Sequence, residues 1–192
     1  MGFGLTIKYD VEKGNPVVGG SSSGLPCRSR HREDVMKDGE LMQVAYLVRD
    51  IETAMKRHWD HCGIGPWHVY RFKAPDVRDY LYRGKPATHE VLIAVTKTPG
   101  IQHELIQPVS GYSIYDEFLE SRGEGLHHTK LYYADCAKAV ADYQRRGYAV
   151  IQSGKFDADE HYYLDTEKDF GYIIELGNGG KIRETDWRYP RI

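Results

Sequence analysis

The sequence predicts an α+β protein in which two tandem βαβββ modules form a cupped mixed sheet around a metal site. Three observations predict it. The stretch GEGLHHTKLYYAD at 123–135 overlays LMQVAYLVRD at 41–50 so that Asp135 meets Asp50 and His128 meets Gln43. The run EHYYLDTEKDFGYIIELGN at 160–178 lies without a gap over HEVLIAVTKTPGIQHELIQ at 89–107, which matches Glu175 with Glu104 and His161 with Glu90. Four groups able to bind a metal, Gln43, Glu104, His128 and Glu175, thus occupy equivalent places in two halves of one chain.

Residues 1–38 read as a flexible extension, because Gly, Ser, Asn and Pro dominate 14–24 and bury too little to order themselves. MGFGLT at the start fits the loose pattern for myristoylation at Gly2, which short sequences match often by chance. The first module spans 39–110. Leu41–Val48 is a strand in which Gln43, Ala45 and Leu47 share one face. Asp50 stands where an N-cap belongs, ahead of a helix from Ile51 to about His61 that ends at Gly63. Trp67–Phe72 is the second strand. The polar run from Lys73 to Thr88, punctuated by Pro75, Gly84 and Pro86, reads as an excursion able to overhang a site. His89–Thr96 and Ile101–Pro108 are two further strands turned at Thr98, Pro99 and Gly100. A connecting segment at 111–125 carries a short helix with Ile114, Phe118 and Leu119 facing inward. The order then repeats in a second module at 126–180, and 181–192 is a tail.

Composition bounds the function. A chain of 192 residues with 41% hydrophobic and 28% charged residues is an ordinary globular protein. A net charge of -2 with scattered Lys and Arg offers no stripe for a phosphate backbone, so no nucleic-acid partner is expected. No apolar run approaches a membrane span. Three cysteines, Cys27, Cys62 and Cys136, without a CxxC pair argue against a disulfide framework or cysteine zinc site and suggest a reducing cytoplasm.

Alternate side chains of a strand share a face, so ligands on strands need the right parity rather than adjacency. The first and last strands of each module supply one candidate apiece. Two carboxylates, one imidazole and one amide oxygen suit a divalent ion such as Zn, Co, Ni, Mn or Fe, with positions left open. Singly, each has an ordinary role: strand-end carboxylates, a core imidazole, a solvated amide. Together in apolar strands they point to a metal, because an unpaired buried carboxylate is costly. His127, beside His128, is expected on the opposite face with a structural role. Glu90 and His161, matched by the overlay, are candidate proton-transfer groups facing each other across the metal, or else plain edge-strand residues. Lys130 shares the His128 face and is a candidate substrate contact, as are Trp67 and Tyr132 among the aromatic residues.

The tandem pattern, with HELIQP at 103–108, GEGLHH at 123–128 and IIELGN at 173–178, closely resembles the vicinal oxygen chelate superfamily over Leu41–Asn178. This is the fold of glyoxalases, bleomycin-resistance proteins and extradiol dioxygenases. Within it, SIYDEFL and GEGLHH resemble methylmalonyl-CoA epimerases. The resemblance carries metal binding onto Gln43, Glu104, His128 and Glu175. Gln43 departs from the His usual in epimerases and is similar to the eukaryotic type of glyoxalase I; it speaks against extradiol iron chemistry. The resemblance also implies a glutamate base at Glu90, with Glu175 as the rival base, and a homodimer. The expected activity is a metal-dependent isomerase, an epimerase or racemase, that abstracts a proton next to the carbonyl of a small ketone or acyl thioester through a metal-stabilised enolate. A glyoxalase I-like lyase on a thiol adduct and a non-catalytic small-molecule binding protein are the alternatives. Fold alone does not choose among them.

Overall fold

The computed structural model describes residues 36–191, so the myristoylation pattern and most of the expected flexible extension lie outside the described residues. Met36–Asp38, placed in that extension by sequence, are described, and the Asp38 carboxylate accepts a hydrogen bond from the Ala134 N–H.

The first module holds β1 (Leu41–Leu47), α1 (Ile51–Cys62), β2 (Trp67–Phe72), β3 (Val77–Tyr82), β4 (Lys85–Pro86), β5 (Glu90–Thr98) and β6 (Ile101–Ser110). The connecting helix α2 (Ile114–Ser121) follows. The second module holds β7 (Gly125–Tyr132), α3 (Cys136–Arg145), β8 (Val150–Phe156), β9 (Asp159–Leu164), α4 (Glu167–Phe170) and β10 (Ile173–Gly177), and the tail adds β11 (Trp187–Tyr189). The equivalent aspartates start equivalent helices: Asp50 Oδ1 accepts from Thr53 N, and Asp135 Oδ1 from Lys138 N. Gly63 closes α1 at φ 65°, a left-handed conformation that glycine adopts without strain.

All eleven strands join one sheet in the order β11-β2-β5-β6-β1-β7-β10-β9-β8-β3-β4. Its centre is the antiparallel pair β1–β7, flanked by the parallel partners β6 and β10. Gln43 lies opposite Lys130 and Ala45 opposite His128. A two-fold relation that carries Gln43 onto His128 exchanges these two pairs, and it likewise carries the pair Ala45–Glu104 onto Lys130–Glu175. The tandem modules therefore meet edge to edge.

The register corrects the overlay on one strand. Val95 is opposite Glu104, nine positions on, whereas Tyr163 is opposite Glu175, twelve positions on, because α4 lengthens the second hairpin. The ungapped match is thus three residues out on β5 against β9. An odd slip reverses which face a side chain occupies. His161 corresponds to Ile93, and Glu90 belongs to the other face.

The excursion and the tail also do more than the sequence suggested. β3 leaves the first module and pairs with β8 at the far edge of the second, while β11 pairs with β2 at the far edge of the first. Phe72 of β2 and Phe156 of β8 stack at 4.2 Å, so the two outer strands meet and the cup closes on itself. Inside it, α2 packs Ile114, Tyr115 and Leu119 against Leu47, Ile106 and Tyr163, with Phe118 partly buried beside them. α1 covers the convex face of the first module over Trp67, Val69 and Leu105, and α3 covers that of the second over Leu164 and Leu176.

Candidate metal centre

Parity brings the predicted residues of the central strands into the cup. His128 on β7, Glu175 on β10, Glu104 on β6 and Gln43 on β1 are all buried. His128 Nε2 is 2.8 Å from Glu175 Oε2 and 3.6 Å from Glu104 Oε2. Gln43 Nε2 donates to Gln102 Oε1 at 2.9 Å. Lys130 Nζ lies 3.0 Å from Glu175 Oε1 and 2.9 Å from Asp159 Oδ2. A side chain at Gly177 would begin 2.1 Å from Lys130 Cε, so this glycine leaves the room that the lysine stem occupies.

Burial and the neighbouring charge of Glu175 push the Glu104 carboxyl up to about 8. Burial also acts to raise Glu175, but the Lys130 ammonium and the His128 contact outweigh it and hold that carboxyl well below the usual range. Burial raises Asp159 despite its lysine partner. For Lys130, burial opposes the charge, while Asp159 and Glu175 together overcome it and keep the ammonium protonated.

Three features of the donor set bear on its fit to a divalent ion. Adjacent ligands at ~2.1 Å from a metal stand about 3 Å apart, and the two measured separations bracket that value. His128 Nε2 is fully buried and faces Glu175 and Glu104 without an aligned hydrogen-bond partner. Two carboxylates, Glu175 and Asp159, share one ammonium, which leaves a deficit of positive charge. Against these, among the described residues no three His, Cys, Asp or Glu side chains stand in closed ligand geometry. Gln43, Glu104, His128 and Glu175 supply donors that suit a divalent ion, and the Lys130 ammonium, 3.0 Å from Glu175 Oε1, is the charge beside them.

His127 departs from expectation. The β1–β7 register slips between Ala45 and Tyr46, so His127 is the extra residue of a bulge and both imidazoles are buried. Their Nδ1 atoms are 2.8 Å apart. One must donate to the other, so His127 fixes the ring orientation of His128.

A cavity of about 480 Å³ opens above these groups. Gln43, Glu104, Lys130 and Asp159 face it, and Phe72, Ile93, Val95 and Phe156 give apolar walls. Asp159 was not singled out from the sequence; its signal was an acidic DADE turn leading into a strand whose partner carries Glu175. Three predicted residues fall elsewhere. Glu90 shares the convex parity of Leu92 and Ala94, away from the cavity, and Arg71 Nε holds it at 2.5 Å. Trp67 is wholly buried on the convex side beneath α1, so it is a core residue and not a substrate contact. His161 is inside the cup but tucked against Phe156 at 4.6 Å and Tyr163, beneath the wall of the cavity. Burial holds its imidazole down to about 3, neutral and feebly basic. Tyr132 is half-buried at the rim beside Gly179.

The sequence of residues 42–164 matches the model of the glyoxalase/bleomycin resistance protein/dioxygenase superfamily. That match covers more than half of the chain, and the protein belongs to this superfamily. Three solved structures show its fold. A hypothetical protein from Bacillus halodurans is 18% identical, with a TM-score of 0.56 over 78% of this chain and 100% of its own. Methylmalonyl-CoA epimerase from Mycobacterium tuberculosis is 19% identical, with a TM-score of 0.51 over 72% and 87%. A methylmalonyl-CoA epimerase in complex with methylmalonyl-CoA and NH4+ is 16% identical, with a TM-score of 0.54 over 77% and 99%. No curated protein matches the chain significantly. Among the described residues no helix is long and apolar enough to cross a membrane.

Proposed function

We propose that the protein is a metal-dependent carbon-acid isomerase, which removes a proton next to the carbonyl of a small ketone or acyl thioester. The observation that supports this reading is the convergence of His128, Glu104 and Glu175 in the buried interior of the cup, beside a cavity that Glu104 and Gln43 line. These residues would hold a divalent Zn, Co, Ni, Mn or Fe ion, which when bound supplies a Lewis acid for the carbonyl oxygen, worth several kcal/mol. The apolar walls exclude water from the reacting carbon and strengthen every charge inside. The solved epimerase with methylmalonyl-CoA makes an acyl thioester the first substrate to try.

The acid–base roles are assigned anew. Glu90 faces the wrong side, and Glu175 is a weak base because the Lys130 ammonium and the His128 contact hold its carboxyl far below the usual range. Asp159 faces the cavity with a raised proton affinity, so it takes the substrate proton and gives one back to the enolate as the product forms. Lys130 holds Asp159 in place and meets negative charge that develops on the substrate. One base that takes a proton and returns it to the adjacent carbon also serves a proton shift between neighbouring carbons, so a glyoxalase-type lyase is the second reading. A homodimer in the cytoplasm accompanies either, in keeping with the free thiols of Cys62 and Cys136.

The test is metal content by mass spectrometry of the purified protein and of His128→Ala and Glu175→Ala, followed by deuterium uptake from solvent into methylmalonyl-CoA and simple ketones. About one equivalent of a divalent transition metal, lost in both variants, with uptake lost in Asp159→Asn, is expected. A wild type that neither carries nor accepts metal overturns the reading and favours a binding protein.

A further inference from the structure

The segment between β10 and β11 is outside the family match, which ends at residue 164. It crosses from the second module to the far strand of the first. At its start Asn178 clamps the β8–β9 turn: its Oδ1 accepts from Glu160 N, and its Nδ2 donates to Ala158 O. Gly180 lies so close to that turn that a side chain there would begin 2.0 Å from Ala158 O, and the Ala158 N–H donates to Lys181 O. The Arg183 N–H donates to Asp157 Oδ2 at 2.8 Å. Residues 157–159 are therefore held from three points, and the last of them is Asp159.

The far end is anchored as firmly. Arg183 Nη2 donates to Arg71 O at 2.9 Å and to the Asp186 carboxylate, and its guanidinium lies 4.8 Å over the Phe72 ring. Arg71 N donates to Asp186 Oδ2, and Val69 O accepts from both Asp186 N and Thr185 Oγ1. Phe72 is the ring that stacks on Phe156 where the cup closes. Between the two anchors Gly179, Lys181 and Ile182 line the cavity.

We propose that residues 178–186 form a strap that builds one wall of the ligand cavity and positions Asp159, and through it the Lys130 ammonium, at Glu175. Gly180 and Arg183 are positioning residues of the site; neither touches the reacting atoms. The cavity's role as a substrate site rests on the proposed function, whereas the positioning of Lys130 does not. The strap also gives the cavity a wall, at Lys181 and Ile182, that lies outside the paired strands.

The experiment reads Lys130 directly. A lysine ammonium buried and held by two carboxylates exchanges slowly and gives a side-chain ¹H–¹⁵N signal, which Lys130→Arg assigns by its absence. In the full-length protein, Gly180→Ala and Arg183→Ala are expected to abolish or broaden this signal, with melting temperature and the backbone spectrum of β1, β6 and β7 preserved. If uptake of deuterium is found, Arg183→Ala lowers kcat ~10-fold with a smaller change in KM, as misplacement of a catalytic group does. An unchanged Lys130 signal in a folded Arg183→Ala variant overturns the proposal, even if Gly180→Ala fails to fold. Absence of metal and activity with the signal lost in the variants leaves the strap established and overturns only the proposed function.

Discussion

Lys130 is the residue on which the charge balance of the site turns. Its ammonium serves Asp159 and Glu175 at once, and removal of one partner from a buried ion pair typically costs about 3–5 kcal/mol, because the other is left uncompensated. Lys130→Met is expected to lose stability of that order in urea unfolding of the metal-free protein. Gly177→Ala drives a methyl into the lysine stem and into Glu160 O, 2.7 Å from the added carbon. The double variant of Lys130→Ala with Gly177→Ala is expected to be less destabilised than the sum of its two singles, since the clash with the lysine stem vanishes with the stem. Full additivity would show that Gly177 is not reserved for Lys130. Glu104 makes a second prediction at this scale. Its carboxyl keeps a proton up to about 8, so a divalent ion that takes the carboxylate must displace it. Cobalt(II) titration at pH 7 in two buffers of different ionisation enthalpy should report release of about one proton, and Glu104→Gln should release none.

At the scale of the element, strand parity made much of the site legible. Gln43, Glu104, His128 and Glu175 could be placed on one face because each sits on a strand whose partner strands are fixed by the central pair. Parity is unforgiving of insertions, however, and the residues of α4 in one hairpin sent the match of Glu90 to the wrong face. The bulge at His127 was equally hidden, since nothing local distinguishes a bulged histidine from a paired one. β3 and β11 were missed because each pairs with a strand far away in sequence, and three alternating residues at Trp187–Tyr189 are too few to announce a strand. The helix caps, by contrast, are local chemistry and were readable. Asp50→Ala and Asp135→Ala should each cost about 1 kcal/mol, because each deletes the acceptor for one otherwise unpaired N–H. The caps stand in separate modules, so thermal denaturation of the double variant should show additive losses.

At the scale of the whole molecule, closure of the cup buries imidazoles that the open modules would leave to solvent. His89 stacks on Tyr80 of β3 at 4.1 Å, and His161 packs on Phe156, both close to where the second module's outer strands meet the first. Burial pulls His89 down to about 4 and His161 down to about 3, and holds His127 well below its ordinary value of 6.5. Above that ordinary value both folded and unfolded chains keep these rings neutral, and the fold has its full stability. As pH falls below it, the unfolded chain takes up three protons that the folded one refuses, so stability drops, and for His89 the loss is complete near its folded value. Glu104 opposes this in the metal-free protein: with its folded value near 8 and an ordinary value of 4.5, it favours the fold as pH falls between the two. Between about pH 5 and 6 the balance is two protons in favour of unfolding, a slope of about 2–3 kcal/mol per pH unit. Urea midpoints measured across that range should fall steeply on acidification. In the double variant His89→Phe and His161→Phe, which keeps an aromatic ring at each site, two of the refused protons are removed and the slope should be much shallower. A variant that retained the wild-type slope would place the acid sensitivity outside the closed cup.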